Sequence, residues 1–353
     1  MRKILVIATA GLKPEQLEDS DNKLYPRVDY LELKRLLDID VLNYSLYNRT
    51  RLGEGFRFFE TQIHSDLYLT WLGWRAKKKY DLVFTMSERA GIPFAGFRRL
   101  TASSQPFVTM FQSWSWRQES VIKNLGLFSK MNGIAVHCHS MKCHLNELGA
   151  PLDDIEVLPY SVDHHFFKPM KDVEQQSGLI MSVGEIRSRD YGTLMKAVEN
   201  LPLRLVVAAS GSWYAREKTT NLDLPIPDNT TITGHMPSTK LRELYAQSQF
   251  VVLPVYNTVF SAGSTVVMEA SSMERAVIAT RSEGITDYIV DGETGILVEP
   301  NNPEAFREAI RYLQAHPQEA KRLGRNARQR VEESYNLDIY VECMARQLQR
   351  YLP

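Results

Sequence analysis

A chain of 353 residues exceeds one ordinary hydrophobic core, so two domains are the expectation. Basic and acidic residues balance at 42 each, which leaves no net field to recruit nucleic acid or anionic lipid over the whole surface. Three cysteines make no disulfide framework and point to a reducing cytoplasm, while no stretch approaches the roughly 18 apolar residues of a membrane span.

In chain order, Lys3 to Ala10 (KILVIATA) reads as a buried strand, too short for the core of a signal peptide. DYLELKRLLDI follows as a helix with Leu31, Leu33, Leu36 and Leu37 on its apolar side. DIDVLNYS, YDLVFTMS, QPFVTMFQS and NGIAVHCHS read as further strands, with SDLYLTWLGWRAKKK the clearest helix among them. Strands and helices alternating at this spacing predict a doubly wound parallel sheet. Around EVLPYSVDHHFFKPM, with Pro159 and Pro169, the pattern lapses into a linker.

The alternation then restarts. SGLIMSVGEI, LRLVVAAS, NTTITGHM, QFVVLPV, RAVIAT and GILVEP read as strands. DYGTLMKAVENL, STKLRELYAQS, a segment from about Val266, and NPEAFREAIRYLQAH read as helices, the last with a proline in its first turn. The polar tail after residue 316 reads as helix with an apolar stripe. The predicted domains are 1–165 and 166–335, with 336–353 a terminal helix packing back towards the first. Two such sheets face a cleft, and ligands bind at the carboxyl ends of their strands.

FSAGSTVVMEASS, from Phe260, carries the densest chemistry. Gly263 lets the backbone approach an anion, and Ser264 and Thr265 add hydroxyls to the free amides of a helix start. Glu269 follows Thr265 by four residues and shares its face. A carboxylate accepts two hydrogen bonds, as a vicinal diol such as ribose offers. A nucleoside diphosphate fits this pattern; a plain N-cap with a solvated glutamate fits it too. HCHSMKCH offers His137, Cys138, His139, Cys143 and His144 to a metal, but on a strand His137 and His139 share one face and Cys138 takes the other. Core cysteine and edge histidines are the plainer reading, and no metal is expected. Neither ATAGLK nor SVGEIR supplies the Gly-x-Gly-x-x-Gly of a dinucleotide enzyme.

Taken together, SVGEIRSRDYGTLMKAV, ITGHMPSTKLRELYAQSQFVVLPV and STVVMEASSMERAVIATRSEGITDYIVDGETGILVEPNNPEAF, with the linker VLPYSVDHHFFKP, resemble the retaining GT-B glycosyltransferases of family four, the glycosyl transferases group 1. The resemblance covers most of the second half; the first half is less alike. It implies two Rossmann-like domains and transfer of a sugar from a nucleoside-diphosphate sugar to an acceptor hydroxyl with retained configuration. The acceptor would be a glycan, a lipid-linked molecule or a small molecule, as in glycan, glycolipid or polysaccharide synthesis.

By position, the resemblance implies that Glu269 binds the donor ribose. Gly184, Gly263, Ser264 and Thr265 would line the diphosphate. The family's arginine position holds Glu185, which leaves Arg187 and Arg189 as the cations. Ser261 and Gly284 fall near the donor sugar, Ser261 where the family has a second acid. Gly11, Gln112 and His139 are candidates on the acceptor side. The scheme needs no cofactor and no nucleic acid, and places the protein in the cytoplasm with at most peripheral contact on the inner face of a membrane. A catalytically silent GT-B protein, and an epimerase or phosphorylase of the same fold, are the alternatives.

Overall fold

The computed structural model describes residues 2–10, 24–45, 60, 63–210 and 224–353, the side chains of Arg187 and Ser210 excepted. The chain forms two units. The first comprises the N-terminal strand, Arg27–Pro159 and Asp338–Pro353; the second comprises Tyr160–Leu337 with the few residues preceding Arg27.

Among the described residues the first unit holds a six-stranded sheet in the order β2-β1-β3-β4-β5-β6. Its strands are β1 (Ile4–Ile7), β2 (Ile39–Leu42), β3 (Leu82–Thr85), β4 (Phe107–Phe111), β5 (Gly133–Val136) and β6 (Ile155–Val157). The second holds another, in the order β12-β11-β10-β7-β8-β9. These are β7 (Leu179–Glu185), β8 (Arg204–Ser210), β9 (Thr230–Ile232), β10 (Val251–Leu253), β11 (Val277–Thr280) and β12 (Ile296–Val298). Every pairing between these strands is parallel. Parallel strands need helical crossovers, which cover both faces, so the strands are continuous apolar runs. ILVI, LVFT, FVTMF and VIAT are buried at every position.

Helix faces follow the same logic. In the helix Pro303–Ala315, Phe306, Ala309, Ile310 and Leu313 recur at three- and four-residue intervals and are the buried set. They close over a core that includes Ile180, Leu205, Val252 and Ile278 from four strands. Asn302 caps this helix by accepting from the Ala305 amide at 3.0 Å, and Pro303 fills the first turn, where no amide partner is needed.

Two elements differ from the sequence expectation. The helix expected from Val266 begins at Ser264, because Gly263 adopts φ 92° and turns the chain directly into it. The strand read through NGIAVHCHS stops at Val136, and His139 is the first residue of the helix His139–Glu147. His137 and His139 therefore do not share a strand face. The long tail is two helices, Pro317–Ser334 and Leu337–Gln349. It breaks where Asn336 turns its amide back on the Glu332 carbonyl at 2.9 Å and Leu337 donates to Val162 at 3.2 Å.

The terminal helix packs within the first unit. Met344 and Leu348 are fully buried there, the Gln347 amide donates to the Ile134 carbonyl at 3.4 Å, and the Tyr351 ring lies against the bare α-carbon of Gly133. Leu348→Ala should therefore lower the stability of the first unit by about 2–5 kcal/mol, the usual range for a buried leucine truncated to alanine. Urea unfolding checks this; a loss below about 1 kcal/mol would place the helix outside the core.

Candidate functional site

The second sheet starts at β7 and winds outwards in both directions, β8 and β9 on one side and β10 to β12 on the other. Its connections therefore part between β7 and β10, and such a switch point leaves a crevice beyond the carboxyl ends of the strands. The residues at those ends are Gly184, after the buried stretch of β7, and Pro254-Val255, after β10. The two ends are tied together: Arg189 pairs with Val255 in a short antiparallel bridge, and Asp190 donates its amide to the Pro254 carbonyl at 2.9 Å.

Arg189 sits in the middle of this arrangement and is 7% exposed. Its Nε donates to the Val183 carbonyl at 3.2 Å, and one terminal nitrogen donates to the Ser188 carbonyl at 3.2 Å and hydroxyl at 3.1 Å. Its other terminal nitrogen has no hydrogen-bond partner among the described residues, and the guanidinium makes no ion pair with any described carboxylate. The guanidinium lies over Gly184, where a Cβ would come within 2.7 Å of its central carbon. Gly184 is also held at φ 142°, so glycine is required on both counts. Burial pulls Arg189 below its ordinary pKa, while the fields of Tyr191, Tyr245 and Glu185 push it back up.

The helix Ser264–Ser272 starts nearby. A Cβ on Gly263 would stand 3.0 Å from Leu253 and 3.1 Å from Val255, the residue that pairs with Arg189. No side chain caps this helix, and the amides of Thr265 and Val266 have no partner among the described residues. Uncapped amides at a helix start attract anions, as does a buried arginine without a counter-ion. Thr265 is exposed, whereas Ser261 and Ser264 are buried and their hydroxyls meet at 3.4 Å.

The loop leading into this helix is held from outside. The Ser282 hydroxyl accepts from the Thr258 amide at 3.1 Å and donates to its carbonyl at 3.2 Å, and the Val255 amide donates to Thr280 at 3.1 Å. Gly284 donates its amide to the Thr258 carbonyl at 3.0 Å; a Cβ there would overlap the Phe260 carbonyl and stand 2.8 Å from the Ser261 nitrogen.

Glu269 lies one turn into the helix and is half-buried. The Tyr245 hydroxyl, on the helix Ser238–Gln247, donates to its Oε2 at 2.9 Å, while Oε1 has no partner among the described residues. Burial pushes the Glu269 carboxyl up to about 7, against the Tyr245 hydrogen bond, which pulls it down. Burial, together with the adjoining carboxylate, drives Tyr245 well above its own ordinary value, so its hydroxyl stays a donor.

Gly184, Arg189, Ser261, Gly263, Ser264, Thr265 and Glu269 thus lie on the strand ends of the switch point, the loop that leaves β10 and the first turns of its helix, with Gly284 in the turn after β11 that holds this loop. Arg187 falls in the short turn Ile186–Ser188, with its side chain outside the described structure, and Gly11 lies outside the described residues. Gln112 and His139 belong to the first unit. The amide nitrogen of the Gln112 side chain donates to the Met86 carbonyl at 2.8 Å, and its backbone amide donates to buried Glu88 at 2.9 Å. His139 is exposed at the first turn of its helix. His137, buried, turns its Nδ1 to the Leu158 carbonyl at 2.9 Å and does not join the neighbouring cysteines and histidines in a ligand set among the described residues. Sequence reading missed Tyr245 altogether. Its only signal was a tyrosine on a helix otherwise read for its apolar stripe.

Residues 166–330, which contain the whole arrangement around Arg189 and Glu269, match the family model described as glycosyl transferases group 1. That stretch is similar to the family; the remainder of the chain lies outside the match. A curated relative is the D-inositol 3-phosphate glycosyltransferase of Paenarthrobacter aurescens, 28% identical over 53% of this chain and 50% of its own length. The chain spans about half the length of the curated relatives it matches, or less. Sucrose-phosphate synthase from Thermosynechococcus elongatus has the same fold, with TM-score 0.74, 16% identity and 99% of each chain covered. So has HepE from Anabaena, solved in complex with UDP-glucose, with TM-score 0.72, 14% identity, and 99% of this chain and 100% of the other covered. The fold is accordingly GT-B, with two Rossmann-like parallel-sheet units.

The raised pKa of Glu269 has a consequence that is independent of any ligand. The folded state binds this proton more tightly than the unfolded chain, whose glutamates titrate at about 4.3. The contribution is fully present below that value and is lost as pH rises through about 7. Glu269→Gln, which carries no such proton, should therefore gain stability relative to the native protein between pH 5 and pH 8. Denaturation midpoints of both proteins at each pH check it; a constant difference across that range means the carboxyl is not raised.

Proposed function

We propose that this protein is a glycosyltransferase that moves a sugar from a nucleoside-diphosphate sugar to an acceptor hydroxyl, with retention of configuration, in glycan, glycolipid or polysaccharide synthesis. The observation that carries the reading is Arg189: a buried cation with no carboxylate partner among the described residues, lying beyond the end of β7 beside an uncapped helix start. Burying an unpaired charge is costly, and a site that does so is built for an anion that arrives from outside.

On this reading the diphosphate lies between Arg189 and the helix start at Gly263, Ser264 and Thr265, where the Thr265 and Val266 amides are unpartnered among the described residues, with Arg187 as a second cation and Gly184 as the bare floor. Glu269 takes the ribose. Ser261 and Gly284 lie towards the donor sugar, and Gly11, Gln112 and His139 belong to the acceptor side. The bond from the anomeric carbon to the diphosphate breaks, a bond to the acceptor oxygen forms, and the acceptor proton passes to the leaving phosphate oxygen. Charge growing on that oxygen is met by Arg189 and the helix amides, so the scheme invokes no metal and no cofactor. A nucleotide sugar is also what HepE, alike in fold, was solved with. No described helix is long and apolar enough to cross a membrane; we place the protein in the cytoplasm, in peripheral contact with a membrane at most.

Arg189→Lys keeps the charge but loses the fork, so nucleoside diphosphate should bind about 1–3 kcal/mol more weakly while the free nucleoside is unaffected. Calorimetric titration of both ligands checks this, and equal weakening of the two would make Arg189 structural. Turnover of nucleotide sugar, measured as nucleoside diphosphate released, should require an acceptor. A protein that binds the nucleotide and releases none with any acceptor is the silent alternative.

A further inference from the structure

Glu269 has two carboxylate oxygens, and they are not equivalent. Oε2 receives the Tyr245 hydroxyl at 2.9 Å; Oε1 is left without a partner among the described residues. Tyr245 is itself fully buried, and its ring packs edge-on against Phe167 with centroids 6.3 Å apart. The helix that carries it is locked in register with the helix that carries Glu269. Arg275, just after the Glu269 helix, donates to the Tyr245 carbonyl at 2.8 Å and to the Ala246 carbonyl at 2.9 Å. A hydroxyl this constrained is no mobile surface contact. It fixes the rotation of a carboxylate that would otherwise be broad about its last torsion.

Resting on the nucleotide reading above, we infer that Tyr245 is a positioning residue for the donor ribose: it pins Oε2 of Glu269 and so presents Oε1 to a ribose hydroxyl. Two features make this more than packing. The phenol is saturated as a donor by Glu269 alone, so the contact serves the carboxylate and not the backbone. And Tyr245 lies within the electrostatic reach of Arg189, so the tyrosine that holds the proposed ribose acid also senses the proposed phosphate cation. A carboxylate with one oxygen tied grips a diol through one oriented oxygen. That differs from the symmetric two-oxygen grip read from the sequence.

The test uses the full chain and uridine, guanosine and adenosine diphosphates, each beside its 2′,3′-dideoxy counterpart. The native protein should bind one of the three, and bind it roughly tenfold or more tightly than the dideoxy form, as expected for a hydrogen bond to a charged group. Tyr245→Phe keeps the ring against Phe167 and removes only the hydroxyl. It should lose most of that preference while binding the dideoxy ligand as the native protein does, a pattern that general loss of structure cannot produce. Glu269→Gln combined with Tyr245→Phe should discriminate no worse than Glu269→Gln alone, since the tyrosine acts through the acid. Full preference retained in Tyr245→Phe overturns the inference and leaves the nucleotide reading standing. No preference in the native protein, or no binding of any of the three, overturns the ribose reading itself and the inference with it.

Discussion

The second unit is organised around a cation lying on a glycine. Arg189 needs the space above Gly184, because any side chain there would enter the plane of its guanidinium. It needs the Val183 and Ser188 carbonyls, since no described carboxylate neutralises it. It also needs Val255, because the bridge to that residue fixes the turn from which it projects. These demands fall on the ends of β7 and β10, the two strands between which the sheet changes direction. Moving any of them would leave a buried charge with neither carbonyls nor ligand, a loss on the order of several kcal/mol.

From that point the loop into the helix Ser264–Ser272 becomes intelligible. Val255 supports Gly263 from below, and Thr280, Ser282 and Gly284 hold Thr258 to Ser261 from the next strand's exit. The hydroxyls of Ser261 and Ser264 are turned towards each other inside this frame. The helix start is thereby fixed without a side-chain cap, and the Thr265 and Val266 amides stay available among the described residues. A side-chain cap would stabilise the helix by about 1 kcal/mol but would occupy one of the amides that an anion could take.

Much of the site was legible in the chain because it is local. Gly263, Ser264, Thr265 and Glu269 lie within seven consecutive residues, and helix geometry alone relates their faces. The strands were legible for a similar reason: a parallel sheet covered on both sides must be written in continuous apolar runs, and ILVI, LVFT and VIAT are such runs. His139 was misread because a strand and the first turn of a helix share the same short polar-apolar lettering. Only the end of pairing at Val136 separates them.

By itself, the sequence determined the parallel α/β class, the linker near residue 160, the glycine-opened helix start and the lone acid one turn inside it. Each depends on spacing within one element or one turn. Tertiary structure alone decided that Arg189 is buried over Gly184, that Ser282 and Gly284 hold a loop some twenty residues upstream, and that Tyr245 occupies one oxygen of Glu269. Those pairings join side chains from separate strands and helices. No periodicity encodes them, because they arise only where the order of strands in the sheet brings distant chain ends to one edge.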